Sequence, residues 1–397
     1  MNPFADRFLL DREIVFLNHG SFGACPRAVL AAQSRLRERI EREPVTFFVR
    51  DLEGLLDEAR AALGRFVGAR ADDLAFVANA TTGVNAVLRS LRWEAGDELL
   101  TTDHAYNACK NALDFVAAGR GARVVVAPLP FPVTSPDEVV AAVMARVTRR
   151  TRLALLDHIT SPTGLVLPIA DLVSALAARG VDTLVDGAHA PGMVPLALDA
   201  LGAAYYTGNC HKWMCAPKGA AFLHVRADRQ AAIRPTVISH GANSPRVDRP
   251  RFRVEFDWTG TGDPTPFLCV PEAIGEVGSW LPGGWPEIME RNRALALAAR
   301  DILAASLGVA APSPASMIGT LVALPLPDGD GRPLPSPLYL DPLQERLLAD
   351  YSIEVPIVPW PSPPRRLVRV SAQLYNDERH YALLAAALRE VTNAGGA

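Results

Sequence analysis

The sequence predicts an α/β fold: a large domain with a mostly parallel, seven-stranded sheet, followed by a smaller α+β domain. Three observations predict it. Seven short apolar runs recur at Leu74–Val77, Glu98–Leu100, Arg123–Val126, Leu153–Leu156, Val181–Val185, Ala203–Tyr206 and Ala220–Leu223. Many are separated by roughly 20–30 residues that include a helix-like segment, the spacing of crossovers in a parallel sheet with helices on both faces. After the last run the pattern changes. A helix-like stretch, Ile288–Leu307, precedes apolar runs at Thr320–Leu324, Ile353–Val358 and Leu367–Val370 and a last helix, Glu378–Val391. The expected division is an N-terminal segment, 1–50, joining the small domain, a large domain, 51–262, and a small domain, 263–397.

In chain order, Phe16-Leu-Asn-His-Gly-Ser-Phe-Gly23 is an apolar run ending in a polar, glycine-containing turn. Pro26 stands where a first helical residue is favoured, and an amphipathic helix is expected from there to Glu43. Asp51 is placed to cap a second helix, Leu52 to Val67, with apolar residues at Leu52, Leu55, Leu56, Ala59, Leu63 and Phe66. The seven runs follow. A Pro/Arg-rich loop, Ser244–Arg251, then leads to Trp258-Thr-Gly-Thr-Gly-Asp263. The proline-dense segments Pro325–Pro337 and Pro356–Pro364 read as rigid surface loops.

Composition narrows the class of function. With 397 residues, 49% of them hydrophobic and 21% charged, the chain is ordinary globular protein with enough apolar residues for a core. A net charge of -3 without a basic block gives no reason to expect nucleic acid or an acidic membrane surface. Five cysteines, an odd number in a long chain, argue against a disulfide framework and for a reducing cytoplasm. Cys210 and Cys215 resemble half a metal site, but no second Cys/His pair with zinc spacing follows. No basic leader precedes an apolar core, and no apolar run approaches the roughly 18 residues of a membrane helix. A soluble, cytoplasmic protein is expected.

In a parallel sheet ligands bind beyond the carboxyl ends of the strands, so the polar residues after each run are the candidates for chemistry. Lys212, in Tyr206-Thr-Gly-Asn-Cys-His-Lys-Trp213, follows one run and precedes another. Desolvation there lowers an ammonium pKa toward reactivity, which suits a Schiff base with a carbonyl compound or with pyridoxal phosphate. A lysine in a surface loop is the plain alternative. Thr81 and Thr82, at a helix start after Leu74–Val77, offer hydroxyls and backbone N–H groups to an anion. His104 and Tyr106, after Glu98–Leu100, are rings of a kind that lie flat on an aromatic cofactor. Asp186 ends a buried strand, where a carboxylate needs a partner, and His189 follows one turn on. A protonated pyridinium nitrogen is such a partner and makes the ring an electron sink. A metal hydrolase built from Asp157, His158, Asp186 and His189 is a second reading, which leaves Lys212 and the threonines without a task.

Val185-Asp-Gly-Ala-His-Ala-Pro-Gly192, Cys210-His-Lys-Trp213 with Gly219, and Leu17-Asn-His-Gly-Ser-Phe-Gly23 resemble class V (fold type I) pyridoxal 5′-phosphate (PLP) enzymes. Within them the chain is most similar to the isopenicillin N epimerase-like group, relatives of cysteine desulfurases, over residues 14 to 390. The resemblance implies that Lys212 forms the internal aldimine, that Asp186 pairs with the pyridine nitrogen and that His189 sits beside it. His104 matches the ring-stacking histidine, with Tyr106 as the alternative. Thr81, Thr82, Asn209 and His211 would hold the phosphate. Thr261 would reach the phosphate of the other subunit, which implies a homodimer. Arg369 matches the arginine that grips an amino-acid carboxylate, and Asn18 would line the substrate site. Two positions depart from the family pattern. Ser161 stands where desulfurases carry an asparagine beside the cofactor's phenolic oxygen, and Asn209 stands in place of a phosphate-binding serine. The segment Ile357–Arg366 also lacks the nucleophilic cysteine of a desulfurase, which excludes persulfide chemistry of that kind.

The resemblance implies a bond broken at Cα of an amino acid through a substrate aldimine and quinonoid. The favoured outcome is β-elimination from a bulky cysteine conjugate, a C–S lyase of specialised metabolism. Epimerisation, with His104 or Tyr106 as the second acid/base, comes next, then decarboxylation with oxidative deamination. A PLP-fold binding protein without turnover is the reading from a different class, and the joint presence of Lys212, Asp186 and Arg369 argues against it.

Overall fold

The computed structural model describes residues 2–332 and 341–394. Twelve strands form among the described residues. They are β1 (Val15–Phe16), β2 (Leu74–Val77), β3 (Glu98–Thr102), β4 (Arg123–Ala127), β5 (Thr151–Asp157), β6 (Asp182–Asp186), β7 (Tyr205–Asn209), β8 (Ala221–Val225), β9 (Leu321–Leu326), β10 (Ile353–Glu354), β11 (Ile357–Pro359) and β12 (Arg366–Ser371).

Seven of them make one sheet in the order β2-β8-β7-β6-β5-β3-β4. Every pairing from β7 to β4 is parallel, while β8 runs antiparallel to both of its neighbours. Each of the seven apolar runs becomes a strand. In the interior of the sheet both faces are covered, so both parities of residue are apolar, while the edge strand β4 exposes Arg123 and Val126. Leu100, Ala154, Leu156, Val185 and Tyr206 point into one core. Leu99, Leu153, Leu155, Leu184 and Tyr205 point into the other.

A separate core lies between the antiparallel sheet β11-β12-β9 and the helices Gly284–Leu307 and Glu378–Ala394. Val322, Leu324, Ile357, Val368 and Val370 supply its sheet side. The N-terminal segment is tied here: β1 pairs with β10 in parallel, and Ser371 N donates to Leu17 O at 2.9 Å. No helix among the described residues is long and apolar enough to cross a membrane.

Three local expectations are corrected. Asp51 does not cap the Leu52–Val67 helix. It sits in the right-handed helical region at the end of a π-turn, Phe47–Asp51, that runs straight into that helix, and its carboxylate accepts from Arg39 Nη2 at 2.7 Å. The run Ile353–Val358 divides at Val355-Pro356 into two strands of different sheets, because proline cannot donate to a ladder. The long helix expected from Ile288 begins four residues earlier, at Gly284. Within Pro325–Pro337, residues 333–337 lie outside the described residues.

Candidate active site

The carboxyl ends of β3, β5, β6 and β7 share one end of the large sheet. There β6 delivers Asp186 and β5 delivers Asp157 directly beside it. Asp186 is 3% exposed; its Oδ1 accepts from Ala188 N at 3.0 Å and its Oδ2 from the Cys109 thiol at 3.1 Å. Burial first, and then the Asp186 charge, pushes the Asp157 carboxyl well above the usual carboxylate range. With Asp157 held in its protonated form, the pair presents one buried carboxylate, Asp186, which suits a cationic ring nitrogen.

Lys212 lies in the turn after β7 with Nζ 3.1 Å from His189 Nε2. The indole of Trp213 donates from Nε1 to His189 Nδ1 at 3.3 Å. An indole only donates, so Nδ1 accepts and the neutral imidazole carries its proton on Nε2, directed at Nζ. Such a contact favours the neutral amine. Burial above all, and then the Arg369 charge, lowers the Lys212 ammonium to about 7. Burial, followed by the Lys212 charge, holds His189 well below the usual histidine range. His19, fully buried, fixes the lysine backbone: its Nε2 donates to Lys212 O at 3.1 Å, and Tyr375 Oη donates to its Nδ1 at 2.8 Å. Gly23 allows the two segments to touch. It sits at φ 72°, and a Cβ there would lie 2.2 Å from His211 O.

Thr81 and Thr82 occupy the first turn of the Ala80–Ser90 helix. Gly83 seats that turn on β7, since a Cβ on it would meet Thr207 Oγ1 at 2.4 Å. The anion site is narrower than the sequence suggests. Thr82 donates its N–H (2.8 Å) and its hydroxyl (3.0 Å) to the capping Asn79 Oδ1. Ala80 N donates to Asn209 Oδ1 at 2.8 Å, and Gly83 N donates to Asn79 O at 3.2 Å. Asn209 is thus a buried brace for the helix start, with its amide nitrogen left as the donor. His211 donates from Nδ1 to Ala220 O at 2.9 Å, which turns Nε2 outward. Thr261 lies in an exposed bend after Gly260, and Asp257 upstream of it is pinned by Arg60 and Arg253.

His104 is fully buried with Nδ1 2.8 Å from Thr163 Oγ1, whereas Tyr106 is 41% exposed. Of the two rings, only His104 lies inside. Trp360 meets His104 edge-on at 4.3 Å between centroids, and Phe131 lies 6.0 Å away. Burial lowers His104 to about 4. Arg369 rises from β12: Nη1 donates to Ser161 O at 2.6 Å and to Ser161 Oγ at 3.1 Å, and Nη2 donates to Ser21 Oγ at 3.0 Å. Ser21 in turn donates to Asn18 Oδ1, and Asn18 Nδ2 donates to Glu354 Oε1 at 2.9 Å. Ser161 therefore orients the arginine. Asn18 reaches it through Ser21.

Among the described residues, the ion-sized cluster of possible metal ligands is Asp73, Asp199 and His224. It shares no residue with the hydrolase reading. His158 is turned away, with Nδ1 2.8 Å from Tyr206 Oη. All five cysteines are free and buried.

Residues 26–330 match the family described as "Aminotransferase class-V". The chain belongs to the class-V aminotransferase family. Within that family it is 37% identical to an isopenicillin N epimerase of Amycolatopsis lactamdurans over 96% of each chain. It is 32% identical to "Putative L-cysteine desulfhydrase 2" of Oryza sativa subsp. japonica, covering 97% of this chain and 86% of that one. Its fold matches a Lys-to-Ala mutant of C-DES with glycine covalently linked to the PLP cofactor, with a TM-score of 0.76 and 22% identity. The match covers 95% of this chain and 96% of the other.

This class-V chain is a PLP-dependent enzyme of the lyase or epimerase kind. The residues fit that cofactor: a buried amine lowered to about 7 for its aldehyde, and a buried carboxylate, Asp186, for its ring nitrogen. Sequence reasoning missed Cys109, His19, Ser21, Thr163 and Trp360. His19 and Ser21 stand in the Leu17–Gly23 segment that carries the resemblance, without a role assigned to either. Trp360 carried a signal as an aromatic between prolines in a predicted surface loop; Cys109 and Thr163 carried none.

Proposed function

We propose that the protein is a PLP-dependent β-eliminating C–S lyase acting on a bulky L-cysteine conjugate. The observation that carries this reading is the asymmetry of proton-transfer groups. Lys212 is buried, lowered to about 7 and linked to His189. His104 is tied to Thr163, shielded by aromatic rings and lowered to about 4. β-Elimination needs one base that can return its proton to the leaving group; epimerisation needs a second donor on the opposite face.

Bound PLP supplies a carbonyl for the substrate amine and an electron-withdrawing ring for the charge at Cα. Lys212 would hold it, Asp186 would pair with its ring nitrogen, and His104 would cover the ring. Thr81, Thr82, Asn209, His211 and, across a homodimer, Thr261 would hold its phosphate. Arg369 grips the substrate carboxylate with two parallel N–H donors and so fixes Cα. Neutral Lys212 Nζ takes the Cα proton, with His189 Nε2–H holding the amine in line. The ammonium so formed delivers that proton to the departing sulfur. In sum, RS–CH2–CH(NH3⁺)–COO⁻ and water give RSH, pyruvate and ammonium.

The relatives named isopenicillin N epimerase support epimerisation as the second reading, with Tyr106 at the mouth of the site as the second donor. Specialised metabolism and a cytoplasmic location belong to the same proposal. Incubating the holoenzyme with S-benzyl-L-cysteine in deuterated water tests it. Pyruvate with benzyl mercaptan supports the lyase. α-Deuterium with racemisation and no pyruvate overturns it in favour of the epimerase.

A further inference from the structure

The β11-β12 hairpin carries Arg369 toward the site, and it carries something else on the same face. Opposite residues of an antiparallel pair share a face, as do residues two apart on one strand. The register pairs Val358 with Leu367 and Pro359 with Arg366, and Trp360 N then donates to Arg365 O at 2.9 Å. Trp360, Arg365, Leu367 and Arg369 therefore project from one side of the hairpin. The other side, Ile357, Val368 and Val370, is the one buried in the small core. Trp360 contributes to none of the buried cores of the described residues. Among the described residues this half-buried indole packs on rings beside the site and not on a core.

The ring contacts of Trp360 are with His104 and Phe131. The three rings meet pairwise near edge-on, at centroid separations of 4.3, 6.0 and 6.5 Å and interplanar angles of 64°, 70° and 85°. The tip is held in place: Trp360 stands between Pro359 and Pro361, and Arg365 N donates to Ser362 O at 3.1 Å. A rigid aromatic presented by a fixed loop costs little entropy on binding. Along the strand Trp360 lies four residues from the position opposite Arg369, roughly 13 Å at the strand rise.

We propose that Trp360, with Phe131, is the specificity wall for the substrate side chain, and that the favoured β-substituent is an uncharged aromatic or heteroaromatic ring joined through sulfur. This rests on the lyase reading for its chemistry. Arg369 fixes the carboxylate at one end. The ring at the far end of the substrate meets the indole across a gap that cysteine, or an S-methyl group, is too short to bridge. Aromatic rings meeting edge-on gain beyond the area they bury, and an unbranched small substituent gains neither.

The test compares S-benzyl-L-cysteine with S-methyl-L-cysteine on the holoenzyme and on Trp360→Leu, Trp360→Phe and Phe131→Leu. In Trp360→Leu the ratio of kcat/KM for the benzyl over the methyl substrate falls about tenfold, carried by KM for the benzyl compound, and Trp360→Phe restores most of it. Phe131→Leu lowers the same ratio less. A ratio unchanged in Trp360→Leu overturns the proposal, as does a loss confined to kcat for both substrates. If neither conjugate releases pyruvate, the lyase reading fails on its own. The wall is then read from the ratio of dissociation constants, taken from the change in cofactor absorbance on binding each probe. The same tenfold change in that ratio supports it, and no change overturns it.

Discussion

His189 Nε2 and Lys212 Nζ lie 3.1 Å apart with the imidazole proton directed at the amine. Burial above all, and then the Arg369 charge, lowers the lysine to about 7, and this contact adds a donor to the neutral amine. In the PLP-free protein, Schiff-base formation should accelerate about tenfold per pH unit below the lowered Lys212 value of about 7 and level off above it. His189→Ala removes the donor to the neutral amine and should move that midpoint upward. Stopped-flow mixing of PLP with the apoprotein across pH checks both. Stability follows the same sign. In the unfolded chain Lys212 keeps its proton to 10.5, but in the folded state only to about 7. The unfolded state therefore binds more protons between those values. The lysine's burial penalty is in full force below about 7 and is relieved as the pH rises toward 10.5. Thermal unfolding of the apoprotein and of Lys212→Met at several pH values should show the variant's advantage shrinking through that window.

Lys212→Ala should lose the visible absorbance of the cofactor Schiff base and at least about 10²–10⁴ in kcat/KM, the span that one acid/base group contributes. A visible spectrum matching the wild type would remove Lys212 from the site.

Asp186→Asn keeps the shape and removes the carboxylate proposed to face the ring nitrogen. Breaking a buried, hydrogen-bonded charge pair costs about 3–5 kcal/mol, so PLP affinity or kcat should fall roughly 10²- to 10⁴-fold. Equilibrium dialysis for PLP and steady-state rates separate the two.

Arg369→Lys retains charge and loses the two-pronged geometry. KM should rise about 10- to 100-fold with a smaller effect on kcat, in line with hydrogen bonds to charged groups of about 1.5–3 kcal/mol. Ser21→Ala, which removes one of the groups orienting the guanidinium, should raise KM by only about 2- to 10-fold.

Gly83→Ala drives a Cβ against Thr207 Oγ1. The expected cost is about 1–3 kcal/mol of stability, because overpacking shifts the helix start off β7. PLP affinity should fall with it, since Thr81 and Thr82 ride on that turn. Chemical denaturation and PLP titration of the variant measure these effects.

The sheet was legible in the chain because strands covered on both faces must be continuously apolar. The seven runs of the sequence are the seven strands in order, and the residues just past four of them, Thr81 and Thr82, His104, Asp186 and Lys212, are the ones the fold gathers at one end. The lysine and the aspartate were readable together: Lys212 alone leaves a surface loop open, whereas Asp186, the Thr81-Thr82 helix start and Arg369, with the resemblance, point to the Schiff base.

What joins distant segments was not. Ser161 beside Arg369 spans 208 residues, Ser21 beside Arg369 spans 348, and His19 beneath Lys212 spans 193. Ser161 stands at a position the resemblance puts beside the cofactor, and His19 and Ser21 lie in the Leu17–Gly23 segment, but nothing local links any of them to Arg369 or Lys212. Asn209 bracing Ala80, Cys109 donating to Asp186 and Trp360 against His104 are of the same kind. By itself the sequence determined the layered fold, the lysine and the carboxylate, because burial and periodicity act over a few residues. Only the tertiary structure decided which imidazole nitrogen faces the lysine, what orients the arginine and which rings surround His104, because those depend on contacts that exist only once the chain has closed on itself.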